Sequence, residues 1–509
     1  MNSETMTQNW REYGWYAAAV ALSVAAVLLS QWLGLLVLVL FIVLPVGIYL
    51  FWRWPETGVY LILALVSFGN EYSQTEWGVR SSSDLSTIYN RRILPGLTVS
   101  VFDLIFVLVL AAWLGRKLIK KEAMIWPARR VWLPMLLCLG FVFYGTVLGL
   151  YHLTDGYELY HILRELRPFV YLLLMLVMAV DVITWRGQVE TLWWAIILLA
   201  AARGVQGVVR YGLGIGRWYY GSQMVYYDYS DTILLLAGMV LLFTWLLRQP
   251  RWHLPTLALL GLAAAPMAFS FVFSFRRSFW IGAALSLVLL FFYTNNRERW
   301  RYLTLASVGG VILLGLVLVT GQLDLVLQRV TSITDTQEDS SNYFRLFDNE
   351  NALNAIYESG TLGLGFGSRY EIVTTVYWLN DFISHVSRAS HNGYLYVAMK
   401  MGLLGLVSWS FFWLMNLSVC WLLLGQSRGR YRHIGLAVSV ILIACAQANF
   451  FLPLYYNLRP LLLLAIFCSL AISARKQALR SENLISYKSL ETRPSLRKSD
   501  LRFYDTPHP

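Results

Sequence analysis

Four polar clusters stand out against a largely apolar chain. The sequence SFRRSFWIG carries adjacent arginines, Arg276 and Arg277, and RLFDNENALNAIYESG opens on Arg345. SHVSRASHNGYLYVAMKMGLLGLV holds His385, Arg388, His391 and Asn392 just ahead of a long apolar run. The fourth is aromatic, RWYYGSQMVYYDYSD over residues 217–231. Arginine grips phosphate or carboxylate oxygens through two parallel donors and keeps its charge at any physiological pH. Histidine accepts a proton near neutrality. Together they suit a reaction in which an anionic leaving group departs and a hydroxyl loses its proton. Each has a plainer reading as well. An arginine beside hydrocarbon can snorkel to the interface, one on a loop helix can face solvent, and an interfacial histidine can be structural. The aromatic cluster can stack on sugar rings or belong to an interfacial belt.

The elements that position these groups are membrane helices. Of the 509 residues 57% are hydrophobic and 14% charged, against roughly 25% charged in soluble domains. The apolar residues form unbroken blocks long enough to span, a helix needing about 20. The period-two alternation of a membrane barrel is absent. The sequence therefore predicts an all-α polytopic membrane protein of about fourteen transmembrane helices. The segments are 14–30, 33–52, 57–70, 98–115, 131–150, 166–184, 190–209, 230–247, 253–274, 278–294, 302–320, 402–424, 434–454 and 457–473. The four cysteines fall inside apolar blocks and read as small core hydrophobes.

The net charge of +12 is spread over short basic stretches between those blocks, among them Arg116 to Lys121, Arg297 to Arg301 and Arg428 to Arg432. That is the pattern of cytoplasmic loops, and it excludes a nucleic-acid partner for want of a domain to present the charge. With both termini cytoplasmic, every strongly basic loop faces inward. The loops at 71–97, 151–165, 210–229 and 321–401 then face outward. The last is long enough to be functional, and Leu346, Leu353 and Ile356 at helical spacing predict a helix that lays this apolar side on the bundle, with Gly360 as its stop. The polar tail from Arg475 onward is expected to be disordered and cytoplasmic.

The clusters in combination resemble the O-antigen ligase and polymerase superfamily. HNGYLYVAMKMGLLG is similar to its signature, a His-Asn pair and then Gly-x-x-Gly, matched by His391, Asn392, Gly402 and Gly405. FRRSFWIG resembles the family's arginine-bearing helix start, with Arg277 in the arginine position and Arg276 as a rival. RLFDNENALNAIYESGTLGLGFGS resembles the stretch in which an arginine opens a loop helix that ends in a Gly-x-Gly turn, here Arg345 followed by Gly363, Gly365 and Gly367. The resemblance covers roughly residues 165–475. It divides the chain into N-terminal helices (1–164), a catalytic membrane region (165–475, including the loop 321–401) and the tail (476–509).

What the resemblance implies is glycan transfer from a polyprenyl-diphosphate-linked oligosaccharide donor to a glycan or lipid acceptor, on the periplasmic face of the inner membrane. His391 takes the acceptor proton, Arg277 and Arg345 hold the diphosphate, and Arg276, Asn392, Gly365 and Gly367 belong to the substrate site. Displacement at the anomeric carbon inverts configuration. No cofactor or metal is called for. Asp335, Glu338, Asp339, Asp348 and Glu350 read as a solvated acidic stretch, and no Asp-x-Asp pair or phosphate loop is present. Expected partners are membrane lipids and the polysaccharide export or chain-length machinery. The motifs do not choose between a ligase and a polymerase; the extra helices lean towards a polymerase. A transporter or flippase of lipid-linked saccharides is the alternative class, and the long folded loop and a lack of membrane-buried acids argue against it.

Overall fold

The computed structural model describes residues 44–69, 99–155, 159–215, 217–219, 222–226, 228–249, 253–332, 340–372, 386–426 and 430–491. Within them lie fifteen α-helices. They are α1 (Leu44–Arg53), α2 (Glu56–Phe68), α3 (Val101–Lys120), α4 (Arg129–Tyr151), α5 (Leu159–Val182), α6 (Arg186–Gly212), α7 (Tyr229–Arg248), α8 (Leu254–Val272), α9 (Arg277–Tyr293), α10 (Asn296–Val319), α11 (Leu323–Thr331), α12 (Ser340–Glu358), α13 (Gly393–Gln426), α14 (Arg430–Ala448) and α15 (Leu458–Glu491). Two antiparallel ribbons accompany them, β1 (Arg217–Tyr219) with β2 (Ser222–Met224), and β3 (Tyr370–Glu371) with β4 (Val386–Ser387).

Every expected segment from 57–70 onward coincides with a helix. The segment 14–30, most of 33–52 and the loop 71–97 lie outside the described residues. Eight of the described helices are long and apolar enough to cross a membrane, and the protein is a multi-pass membrane protein. Apart from Arg459, the first turns of α15 are apolar all round because the helix runs through the middle of the bundle, against α5, α13, α14, α7 and α6. By contrast only 11% of the apolar stretch of α10 is buried, and in a bilayer its exposed side faces lipid.

Two expectations change here. The helix α15 continues to Glu491, well past Arg475, where composition predicts a disordered tail. Ala, Leu, Lys, Arg, Gln and Glu are good helix formers, and the extension is tied down by Lys476 Nζ donating to Trp126 O at 3.0 Å and by Gln477 and Arg480 donating to Thr184 O.

The second change concerns buried acids, which are present among the helices, several of them matched to a cation. Asp103 caps α3 through Ser100 and reaches α5 through Arg167 (3.0 Å) and Tyr171 (2.9 Å). Asp181 takes Lys117 Nζ at 2.9 Å and Trp113 Nε1 at 2.7 Å, so α3 and α5 run parallel and are stapled at both ends. Both aspartates are buried in the protein. Arg459, fully buried, bridges Asp228 (2.5 Å) and Asp231 (2.9 Å) and donates to Val66 O, while Arg203 also meets Asp231 at 2.9 Å. A charge inside a bundle is tolerated only when paired in this way.

Candidate active site

The helix α12 organises the site. Asn342, Arg345 and Asp348 recur every third residue, so they share one face within roughly a third of a turn. That face continues into Asn351, Ala352 and Ala355, all buried. It is the opposite of the expected packing, because Leu346 and Leu353 are each 54% exposed and only Ile356 is partly covered. The polar and small residues turn inward because they have partners there, and the leucines turn outward, where hydrocarbon can cover them.

Asp348 lies 8% exposed and has both oxygens occupied. Oδ1 accepts from Tyr370 OH at 2.9 Å, and Oδ2 from Ser390 Oγ at 3.2 Å and from the His391 backbone N–H. His391 Nδ1 lies 3.1 Å from the same Oδ2. Burial alone raises this carboxyl's pKa. The side-chain bond, charge and backbone N–H of His391, with the Tyr370 hydroxyl, outweigh it, and Asp348 sits below the ordinary carboxylate value. Burial and the neighbouring Asp348 push the Tyr370 phenol up, so it stays a donor. An ionised carboxylate only accepts, so Nδ1 carries the hydrogen and Nε2 is the nitrogen left to act as a base. Phe344 meets the imidazole edge to face, with centroids 5.2 Å apart, and the side chain keeps 39% of its exposure. Asp348 was not the solvated acid its sequence context suggests. Glu350 is exposed, and Asp335, Glu338, Asp339 and His385 lie outside the described residues.

Arg277 is the first residue of α9. Its Nη1 donates to Ser332 O and Oγ, each at 2.8 Å, and its Nη2 to Asn342 Oδ1 at 3.2 Å. Arg345 Nη1 reaches the same Oδ1 at 3.5 Å. The turn before Arg277 holds Phe275 at φ 51°, buried; a left-handed L-residue costs about 1–2 kcal/mol. Arg276 points elsewhere, its guanidinium 4.5 Å from the Tyr229 ring centroid. Tyr226, also from the aromatic cluster, is buried beneath Arg203 at 4.3 Å.

Asn392 caps α13, its Oδ1 accepting from Tyr394 N (3.0 Å) and Leu395 N (3.3 Å). That helix begins at Gly393 and is broken at Gly402 (φ 74°, ψ 175°) rather than continuous from 402. The break frees Met399 O, which accepts from Leu364 N at 2.7 Å. Residues 363–368 wedge into the gap. A Cβ on Gly365 would stand 2.6 Å from Gly149 N, and one on Gly367 2.5 Å from Ile162 Cγ1. These glycines therefore let the loop touch the backbones of α4 and α5.

A buried pair that the sequence reading passed over locks the wedge. Lys400 Nζ meets Glu165 Oε2 at 3.0 Å and donates to Ser368 O and Oγ at 2.8 and 2.9 Å. Gly367 N donates to the same Glu165 oxygen at 2.8 Å. The signal was a lysine inside YVAMKMGLLG, where nothing but a buried partner makes a cation tolerable.

Residues 262–410 match the family model described as O-antigen ligase. The matched stretch begins within α8 and ends within α13, and it holds Arg276, Arg277, Arg345, Asp348, Gly365, Gly367, His391 and Asn392. No curated protein matches the chain.

Proposed function

From the match of residues 262–410 to the O-antigen ligase family model, we propose that the chain is a membrane enzyme of polysaccharide assembly, a glycosyltransferase that uses a lipid-diphosphate-linked glycan as donor. The observation that carries this reading is the single face of α12. Arg345 and Asp348 are three residues apart, about 4.5 Å of helix rise. The arginine that would hold a leaving phosphate and the carboxylate that holds the base thus lie within the span of one glycosyl–phosphate linkage.

The step is a direct displacement. His391 Nε2 takes the proton from an acceptor hydroxyl, and that oxygen forms a bond to the anomeric carbon. The bond from that carbon to the diphosphate oxygen breaks, and the electron pair leaves with the lipid diphosphate. Attack from the far side inverts the anomeric configuration. Arg277 and Arg345 stabilise the charge growing on the diphosphate. Arg277 sits at the positive end of the α9 dipole, a strained place for a cation that an incoming anion relieves. Asp348 keeps the imidazole in the right tautomer and stabilises the imidazolium that forms. Asn392 shapes the start of α13 beneath the histidine, and Arg276 borders the site beside Tyr229. Gly365 and Gly367 act through the loop they allow to pack. The scheme runs on the activated donor and needs no metal.

The face carrying α12 is read as periplasmic. Lys117, Lys120 and Lys121, Arg248, Arg299 and Arg301, and Arg430 and Arg432 cluster at the helix ends opposite to Arg277 and His391, as the positive-inside rule requires of the cytoplasmic side. The acceptor, a second repeat unit or a lipid core, is the open choice between polymerase and ligase.

The test is complementation of a strain deleted for this gene by wild type and by His391→Ala. Membrane levels are matched by immunoblot, and surface polysaccharide and carrier-linked units are measured. Loss of long polymer with accumulation of carrier-linked units is expected. Normal polymer from a well-expressed variant would remove the base and bring the flippase reading forward.

A further inference from the structure

The side-chain amide of Asn342 is the hub of the arginine pair. Its Oδ1 accepts from Arg277 Nη2 at 3.2 Å and from Arg345 Nη1 at 3.5 Å. Its Nδ2 donates to Ser332 O at 3.1 Å, and the same carbonyl accepts from Arg277 Nη1 at 2.8 Å. These partners fix which way the amide points. A carbonyl only accepts and a guanidinium only donates, so a flipped amide would set its NH₂ against two donors and its oxygen against an acceptor. One side chain thus ties together the residue that ends α11, the first turn of α12 and the start of α9.

The residue type is the unexpected part, because two effects favour a carboxylate at this position. An acid between two guanidiniums gains charge on both sides of each bond and can take a guanidinium through two oxygens, which an amide cannot. The position also lies in the first turn of α12, where the helix dipole favours a negative side chain. That turn nevertheless holds no acid. The amide forgoes both gains. It holds the arginines by hydrogen bonds and adds no charge of its own, so it cancels none of theirs. Stability given up in this way is characteristic of a binding or catalytic site.

We propose that Asn342 is a positioning residue for the diphosphate clamp, setting the spacing of Arg277 and Arg345 while leaving their charge to the oxyanion of the donor. Resting as it does on the lipid-diphosphate donor proposed above, this role has a signature that a purely structural one lacks. A carboxylate in place of the amide makes the protein more stable and the donor site worse, because it occupies the guanidiniums as phosphate oxygens would.

The experiment uses the full-length protein in detergent, with farnesyl diphosphate, a soluble prenyl diphosphate without glycan, as the probe. Equilibrium binding and thermal unfolding are measured on wild type, Asn342→Asp and Asn342→Ala. Asn342→Asp should raise the melting temperature by about 2 °C and weaken farnesyl diphosphate by about tenfold or more. Asn342→Ala removes the hub and should weaken the probe without raising the melting temperature. In an Arg345→Lys background Asn342→Ala should add little further loss, since the hub acts only through the arginines. That measurement stands even where Asn342→Asp does not fold. Asn342→Asp with wild-type affinity, or with affinity and stability falling together, overturns the proposal, as do losses from Asn342→Ala and Arg345→Lys that add in full. Failure of wild type to bind farnesyl diphosphate overturns the donor reading and this inference with it. Binding by wild type that no change at Asn342 alters overturns the inference alone.

Discussion

Arg277 and Arg345 converge on one acceptor, the Oδ1 of Asn342, at 3.2 and 3.5 Å. They come from different elements, the start of α9 and the second turn of α12, and a single amide fixes their spacing. Two guanidiniums held so close repel each other, and the proposed diphosphate between them would reverse that cost. Replacing either by Lys keeps the charge and removes the planar fork. Arg277→Lys and Arg345→Lys should each lower transfer by about 10²–10³-fold, and the double variant by less than the product, since the two act on one group. Transfer from a purified lipid-linked donor in detergent measures this; Lys variants with wild-type rates would remove the arginines from the chemistry.

Asp348→Asn separates positioning from proton transfer. The amide is nearly isosteric, yet it can no longer enforce the Nδ1–H tautomer or stabilise an imidazolium. Turnover should fall by about 10²–10⁴-fold, with KM for the donor little changed. A fall confined to KM would show that Asp348 serves only to dock α12.

The Asp348 pKa gives a pH dependence with a definite sign. A carboxyl depressed in the folded state contributes stability that is present above its unfolded value and is lost as pH falls through the folded one. The gap in melting temperature between wild type and Asp348→Asn should therefore be constant from pH 5 to neutrality and shrink below about pH 4. A gap that widens on acidification contradicts the assigned ionised, hydrogen-bonded carboxylate.

Breaking the Glu165–Lys400 pair leaves a buried charge uncompensated. Glu165→Gln or Lys400→Met alone should destabilise by about 3–5 kcal/mol, while the two together should recover part of that loss. Thermal unfolding followed by size exclusion distinguishes the cases. Additive losses would mean that the pair carries no coupling.

Gly402 packs tightly against the loop. A Cβ there would lie 2.5 Å from Thr361 O, on a backbone at φ 74°. Gly402→Ala should cost about 1–3 kcal/mol and loosen the wedge beneath His391. Gly310→Ala, where nothing lies within 4 Å, is the control and should be silent or slightly stabilising.

The sequence by itself determined the helical membrane architecture. Apolar blocks near 20 residues leave the backbone no other way to satisfy its amides in hydrocarbon, and the basic loops report on sidedness. It also offered Arg277, Arg345 and His391 as candidates, and the resemblance carried by their three motifs, rather than their positions, set them above the plainer readings. Asp348 was misjudged, since nothing in RLFDNENALN marks which of its polar residues turns inward. That is decided by Tyr370, Ser390 and His391, up to 43 positions away in the chain. The face of α12 was misjudged for the same reason. Hydrophobic spacing predicts that leucines face protein, but at a membrane surface the outside is also apolar, and the buried face can be the polar one. The pairs Glu165–Lys400 and Arg459–Asp231 were likewise invisible, because an ion pair is a property of two helices and each sequence contains only one of its ends. Tertiary structure alone supplied the partners, since only packing removes water from both charges at once.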